Sequence, residues 1–217
     1  MKGKINLAIG LLLFLPFLFA LAAHESNTSE AAANWPMPGR DLGGTRFSPL
    51  AQITPANVNQ LKVAWVYHMK PAGSASLHPS EDQPLVVGPT MYVATPYSRI
   101  VALDAATGRE QWVFQIPDGD QPSVRGANYW PGGEGAGPAI IFGTRRGRLY
   151  SINAATGQLS QEFGDHGVVD LKTPEVMTTG KDKSYILPSP PMNRIHPRPR
   201  RTGPCQGVTS AVLASRR

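Results

Sequence analysis

The sequence predicts an all-β fold made of small sheets repeated along the chain, and three observations carry that expectation. The 217 residues include 22 Gly and 21 Pro against only 17% charged residues, a turn-rich composition that suits strands better than helices. The phrase "IVALDAATGREQW" of Ile100–Trp112 returns 49 residues later as "LYSINAATGQLSQ" of Leu149–Gln161. Each copy also opens on an apolar run of strand length closed by turn residues.

The elements follow in chain order. Lys2 and Lys4 precede an apolar run, Leu7–Ala23, that is broken by Pro16 and closes on "ALAA" before His24. A basic start, an apolar middle and a small-residue exit make residues 1–23 a secretory signal, with cleavage after Ala22 or Ala23. A retained membrane anchor is the alternative, but a span needs about 20 unbroken apolar residues and this run is slightly short. The expected product is exported and periplasmic, with no stable membrane span after cleavage and membrane association only if the segment is kept. Residues 24–34 are polar and Ala-rich and read as a flexible lead-in.

Within residues 35–192, "LKVAWVYHM" of Leu61–Met69 is a first, weaker copy of the repeat, with Trp65 standing 47 residues before Trp112. The next two copies, Met91–Phe114 and Ile140–Phe163, align without a gap over 24 positions. Each predicts a buried strand, a turn at Tyr97-Ser98 or Arg146-Gly147, a second strand, the "DAATG" or "NAATG" turn, and a third strand. Asp104 or Asn153 can bond its own turn backbone, and Gly108 or Gly157 can take a positive φ. A period of 40–50 residues holding a few short strands is the pattern of propeller blades, which must stack to cover their faces. The Gly-rich stretch from Gly132 to Ala139 lacks the Lys-Ser/Thr ending of a phosphate loop and reads as a connection between strands.

The formal charge of +6 is an asymmetry of one end. From Asn193 to Arg217 there are six Arg and no acid, which leaves 15 bases and 15 acids in the remainder. Residues 193–217 show no strand alternation and no aromatic, so this Arg/Pro-rich tail is expected to be disordered or translated out of frame. Charge alone does not make a nucleic-acid surface, and none is expected. The only cysteine, Cys205, lies in this tail, so no disulfide framework and no Cys-based metal site follow. The five His show no ligand spacing and read as surface or loop residues.

The phrase "ALDAATGREQW" resembles the tryptophan-docking motif of the PQQ-dependent quinoprotein dehydrogenases. "GRDLGGTRFSPLAQITPANVNQLKVAWVYHM", "RGANYW" and "EFGDHGVVDL" are similar to the glucose-dehydrogenase-like branch of that family. The resemblance implies a partial β-propeller of about two to three blades from an eight-bladed ring, residues 35–192 being its N-terminal blades. It implies that Glu81, in "SEDQPLVVG", contacts the edge of the pyrroloquinoline quinone (PQQ) and that Arg125, in "VRGANYW", reaches the same cofactor. A planar, always-charged fork suits a quinone oxygen or carboxylate. Ser189, in "YILPSPPM", aligns more loosely with a hydroxyl that touches the cofactor. Without the resemblance, Glu81 reads as a solvated loop carboxylate beside Asp82, and Arg125 as a surface arginine.

The resemblance further implies a sugar or alcohol substrate, a calcium ion at the quinone, and electrons leaving to a membrane quinone or a cytochrome. The calcium ligands, the catalytic Asp and the Trp that stacks on the quinone belong in the family to later blades. No catalytic or metal-binding residue is therefore assigned, and this chain is expected to bind neither PQQ nor calcium well by itself. The alternative is a non-enzymatic propeller of the same repeat type, acting as an envelope scaffold.

Overall fold

The computed structural model describes residues 33–133, 135–174, 177 and 186–191. The expected signal segment, most of the lead-in, Cys205 and the Arg-rich tail lie outside the described residues. The described residues form two four-stranded antiparallel sheets, each a simple meander. The first is β1 (Leu85–Val87), β2 (Thr90–Thr95), β3 (Arg99–Asp104) and β4 (Glu110–Gln115). The second is β5 (Asn128–Trp130), β6 (Ala139–Gly143), β7 (Arg148–Asn153) and β8 (Val168–Asp170).

The repeat in the sequence is a repeat in register. Thr90 pairs with Asp104 across β2 and β3, and Ala139 pairs with Asn153 across β6 and β7. Asp104 Oδ1 accepts the Ala106 and Thr107 N–H groups at 3.2 and 2.8 Å, and Asn153 Oδ1 accepts those of Ala155 and Thr156 at 2.9 and 3.1 Å. Gly108 (φ 71°) and Gly157 (φ 70°) then close the two turns in the left-handed region that suits glycine. The expected Asx-type turn is therefore present twice.

Between the sheets lies the main core. Tyr92, Ala94, Ile100 and Ala102 of the first sheet meet Ile140, Phe142, Tyr150 and Ile152 of the second, and Trp112 and Phe114 pack at the margin. Alternation along each strand sends the other residues to the opposite face, where Val93, Val101 and Leu103 meet Trp65, Tyr67 and Met69. The segment at Leu61–Met69 thus packs through every second side chain, as a strand would, but it joins no sheet among the described residues. Val66, on its outward side, is exposed, and so is Val63, which lies ahead of the packed stretch.

Two indoles join the layers by one rule. Trp65 Nε1 donates to Ala105 O at 3.2 Å, and Trp112 Nε1 donates to Ala154 O at 3.1 Å. Each ring lies over the glycine of the following turn, so close that a Cβ on Gly108 would stand 2.5 Å from Trp65 and one on Gly157 would stand 2.7 Å from Trp112. The docking read from the motif is present at both joints, with Leu61–Met69 packed as an extended segment on the face of the first sheet that points away from the second.

One strand departs from expectation. The third strand of the last copy is broken: Leu159 makes a single bridge to Ile152, and the pairing resumes only at β8, where Val169 faces Leu149. Gly164 (φ 56°), His166 (φ 49°) and Gly167 (φ 99°) all take left-handed conformations that no strand can hold, so residues 160–167 leave the sheet and return. Ser151 spans the gap by bonding Gly167 and Ser160 through its backbone, both at 2.9 Å. The Gly-rich stretch connects β5 to β6, as expected.

Candidate functional site

Each sheet is reached by an irregular approach segment that runs into its first strand, and these segments build the site. Residues 78–84 lead into β1 and residues 120–127 lead into β5, while residues 186–191 lie beyond them. Backbone groups tie the three together. Glu81 N–H donates to Val124 O at 3.1 Å, Ser123 Oγ donates to Pro188 O at 2.6 Å, and Leu187 N–H donates to Thr144 O at 3.1 Å. Asn128 Nδ2, buried at the start of β5, donates to Pro191 O.

On this stitched surface the three residues expected from the sequence come together. Arg125 Nη1 donates to Ser189 Oγ at 3.2 Å, and Arg125 Nε stands 3.6 Å from Glu81 Oε2. The Arg125 and Glu81 side chains are 61% and 67% exposed. An ion pair so wet contributes only ~0–1 kcal/mol to stability. The fold does not depend on it, and both groups remain open to a ligand. A guanidinium fork, a carboxylate and a hydroxyl, one from each approach segment, form a donor and acceptor set that fits a flat, carboxylate-bearing quinone.

Three neighbouring features were not singled out from the sequence. Asp82 is part-buried, accepts the Ala94 N–H at 3.1 Å, and is pushed by burial up to about 7. Nothing in the order of residues separates it from its exposed neighbour Glu81. Asn128 has a buried Oδ1 without a partner, and although it lies in the quoted "RGANYW" its type alone carried no assignment. The third is an ion cluster behind the site, in which buried Asp120 takes Arg148 Nε at 3.2 Å and Nη2 at 3.0 Å while Asp118 takes Nη1 at 3.2 Å. A cleft of about 140 Å³ opens beside the approach segments between His78, Thr95, Gln121, Ser123 and Arg145. His68, His78 and His166 are exposed, and among the described residues no three His, Cys, Asp or Glu side chains gather around a metal position. No helix among the described residues is long and apolar enough to cross a membrane.

Residues 35–194 match the PQQ family described as the glucose/ethanol/alcohol dehydrogenase β-propeller domain. Over 185 residues the chain is 35% identical to the quinoprotein glucose dehydrogenase of Escherichia coli (strain K12), covering 77% of this chain and 23% of that protein. Over 179 residues it is 36% identical to the dehydrogenase subunit of the quinone-type alcohol dehydrogenase of Gluconobacter oxydans (strain 621H), covering 78% of this chain and 21% of that one. Among solved structures, a quinohemoprotein alcohol dehydrogenase of Pseudomonas putida HK5 superimposes with a TM-score of 0.53 at 31% identity, over 67% of this chain and 20% of its own. The chain therefore spans between a fifth and a quarter of the length of these relatives.

Proposed function

This chain belongs to the PQQ-type glucose/ethanol/alcohol dehydrogenase β-propeller family, and from that premise we propose that its sheets are blades of an exported dehydrogenase that oxidises a sugar or alcohol hydroxyl. The electrons pass to a quinone or a cytochrome. The observation that carries this reading is the convergence of Glu81, Arg125 and Ser189 from three separate approach segments onto one exposed patch. Scaffolding needs no such charged cluster, because the sheets are already held by the main core and the two docked indoles.

PQQ, when bound, supplies the oxidising power by accepting the hydride. The residues here do the holding. The Arg125 fork presents its N–H groups to a carboxylate or quinone oxygen. Glu81 keeps that fork oriented from one side and would itself accept a hydrogen bond from the bound group, and Ser189 keeps the fork oriented from the other. The backbone bond from Glu81 to Val124 fixes the spacing between the first two segments. This assigns the chain the grip on the cofactor, with calcium and proton transfer left to other blades. Export is supported by the basic, apolar and small-residue pattern of residues 1–23, and N-terminal sequencing of the secreted protein tests it.

Titrating the refolded chain with PQQ, followed by quenching of tryptophan fluorescence, tests the grip. Weak but saturable binding is expected, falling about tenfold or more in Arg125→Ala as a charge-assisted bond is lost. Equal binding by the variant, or no saturable binding by the unsubstituted chain, overturns the reading.

A further inference from the structure

The first approach segment holds a carboxylate for which the cofactor reading has no use. Pairing of β1 with β2 reaches only as far as Leu85 and Tyr92, so the N–H of Ala94 has no strand partner. Asp82 Oδ2 takes its place, accepting that N–H at 3.1 Å. A buried backbone donor must find some acceptor, and here a side chain substitutes for the missing strand. The other oxygen, Oδ1, rests against Gly126, where any Cβ would collide with it. Gly126 has φ 99° and follows Arg125 directly.

One side chain therefore touches β2 and the Arg125–Gly126 turn, while the preceding residue, Glu81, bonds that same segment through its backbone. Among the described residues no cation answers the charge: Asp82 makes no ion pair there, and Arg125 is turned to Glu81 and Ser189. The recess beside it is lined by Trp35, Ser48, Leu50, Gln83 and Met91, none of them charged. His78 shares the approach segment but packs edge-on against Tyr97. Burial without a counter-charge disfavours the ionised form, so this carboxylate opposes the stability of the fold it sits in at neutral pH.

We propose that Asp82 is a positioning residue, whose carboxyl spaces the first two approach segments and sets the direction in which Arg125 meets Glu81 and the quinone. The last clause rests on the cofactor reading, whereas the coupling of Asp82 to Arg125 does not. Ionisation of Asp82 changes the charge pressed against the Arg125–Gly126 turn, so the Arg125 head group responds to it.

The test is nuclear magnetic resonance of the full chain between pH 5 and 9, following the Asp82 carboxyl carbon and the Arg125 Nε–Hε signal. Both are expected to move with one shared midpoint near the value of about 7 that burial gives Asp82. In Asp82→Asn the Arg125 step vanishes while the Ala94 amide stays protected, since the amide oxygen still accepts. In Asp82→Ala that protection falls about tenfold with loss of the bond. In His78→Gln the step persists. Separate midpoints in the unsubstituted chain, or an unchanged Arg125 step in Asp82→Asn, overturns the proposal. The first of these readings needs no variant to fold. Failure of PQQ binding would leave the shared midpoint intact, so the two readings fail separately.

Discussion

Gly157→Ala is the sharpest probe of how the sheets are joined. Gly157 sits at φ 70°, and a left-handed conformation costs an alanine ~1–2 kcal/mol. The new Cβ would also stand 2.7 Å from Cδ2 and Cε3 of Trp112, well inside the ~3.5–4.0 Å of a carbon–carbon contact. The indole must lift by about 1 Å, which breaks its 3.1 Å bond to Ala154 O, worth about 1 kcal/mol. Lifting also loosens the ring from Tyr92, whose centroid is 5.9 Å away, for a further ~0.5–1.5 kcal/mol. The total is about 2.5–4.5 kcal/mol, a large part of the ~5–15 kcal/mol that holds a typical domain. Urea denaturation followed by circular dichroism and tryptophan fluorescence measures it. Gly119→Ala is the control, because Gly119 has φ 64° with nothing within 4 Å of its would-be Cβ. It should lose only the backbone part. In a Trp112→Ala background, Gly157→Ala should fall to that same value. If Gly157→Ala costs no more than Gly119→Ala, or its cost is unchanged without the indole, docking is not what holds the joint.

Two further perturbations address the turns and the ion cluster. Bonds from Thr107 hold the Asp104 carboxyl below its usual 3.8, so its contribution is present at neutral pH and lost as the pH falls through the lowered folded value. Asp104→Asn, which copies Asn153, should leave the urea midpoint at pH 7 nearly unchanged and flatten the decline below about pH 4. An identical acid limb in the variant would refute it. Asp120→Ala takes from half-buried Arg148 its fully buried partner and should cost up to ~3–5 kcal/mol, read by the same denaturation. A change under about 1 kcal/mol would show that Asp118 alone suffices.

How much of this was legible depended on how local each cause is. The 49-residue spacing carried the register itself, because equal spacing forces Thr90–Asp104 and Ala139–Asn153 into equivalent pairings. The two turns were legible because their acceptor, their threonine and their glycine all lie within five residues. Trp65 was found by its spacing, but the missing sheet partners of Leu61–Met69 leave no mark in the sequence. The break after Leu159 was hidden because "QLSQEF" still reads as a strand, while the residues that break it follow in Gly164, His166 and Gly167. The sites divide likewise. Glu81, Arg125 and Ser189 came from resemblance, and their meeting could not be read directly, since Arg125 and Ser189 are 64 positions apart. Asp82 differs from Glu81 by bonding Ala94 and facing Gly126, contacts made by folding alone.

The stitching of the approach segments to one another also divides what the sequence is free to vary. Glu81 and Arg125 stand ahead of the first strand of each sheet, Ser189 lies beside them, and their spacing is kept by backbone bonds such as Glu81 N–H to Val124 O. Substitutions along β4 or in the 160–167 excursion can drift, and even weaken the whole, without shifting the spacing of these three side chains. On the proposed cofactor reading, change can therefore fall on outlying loops while the anchoring geometry is inherited unaltered.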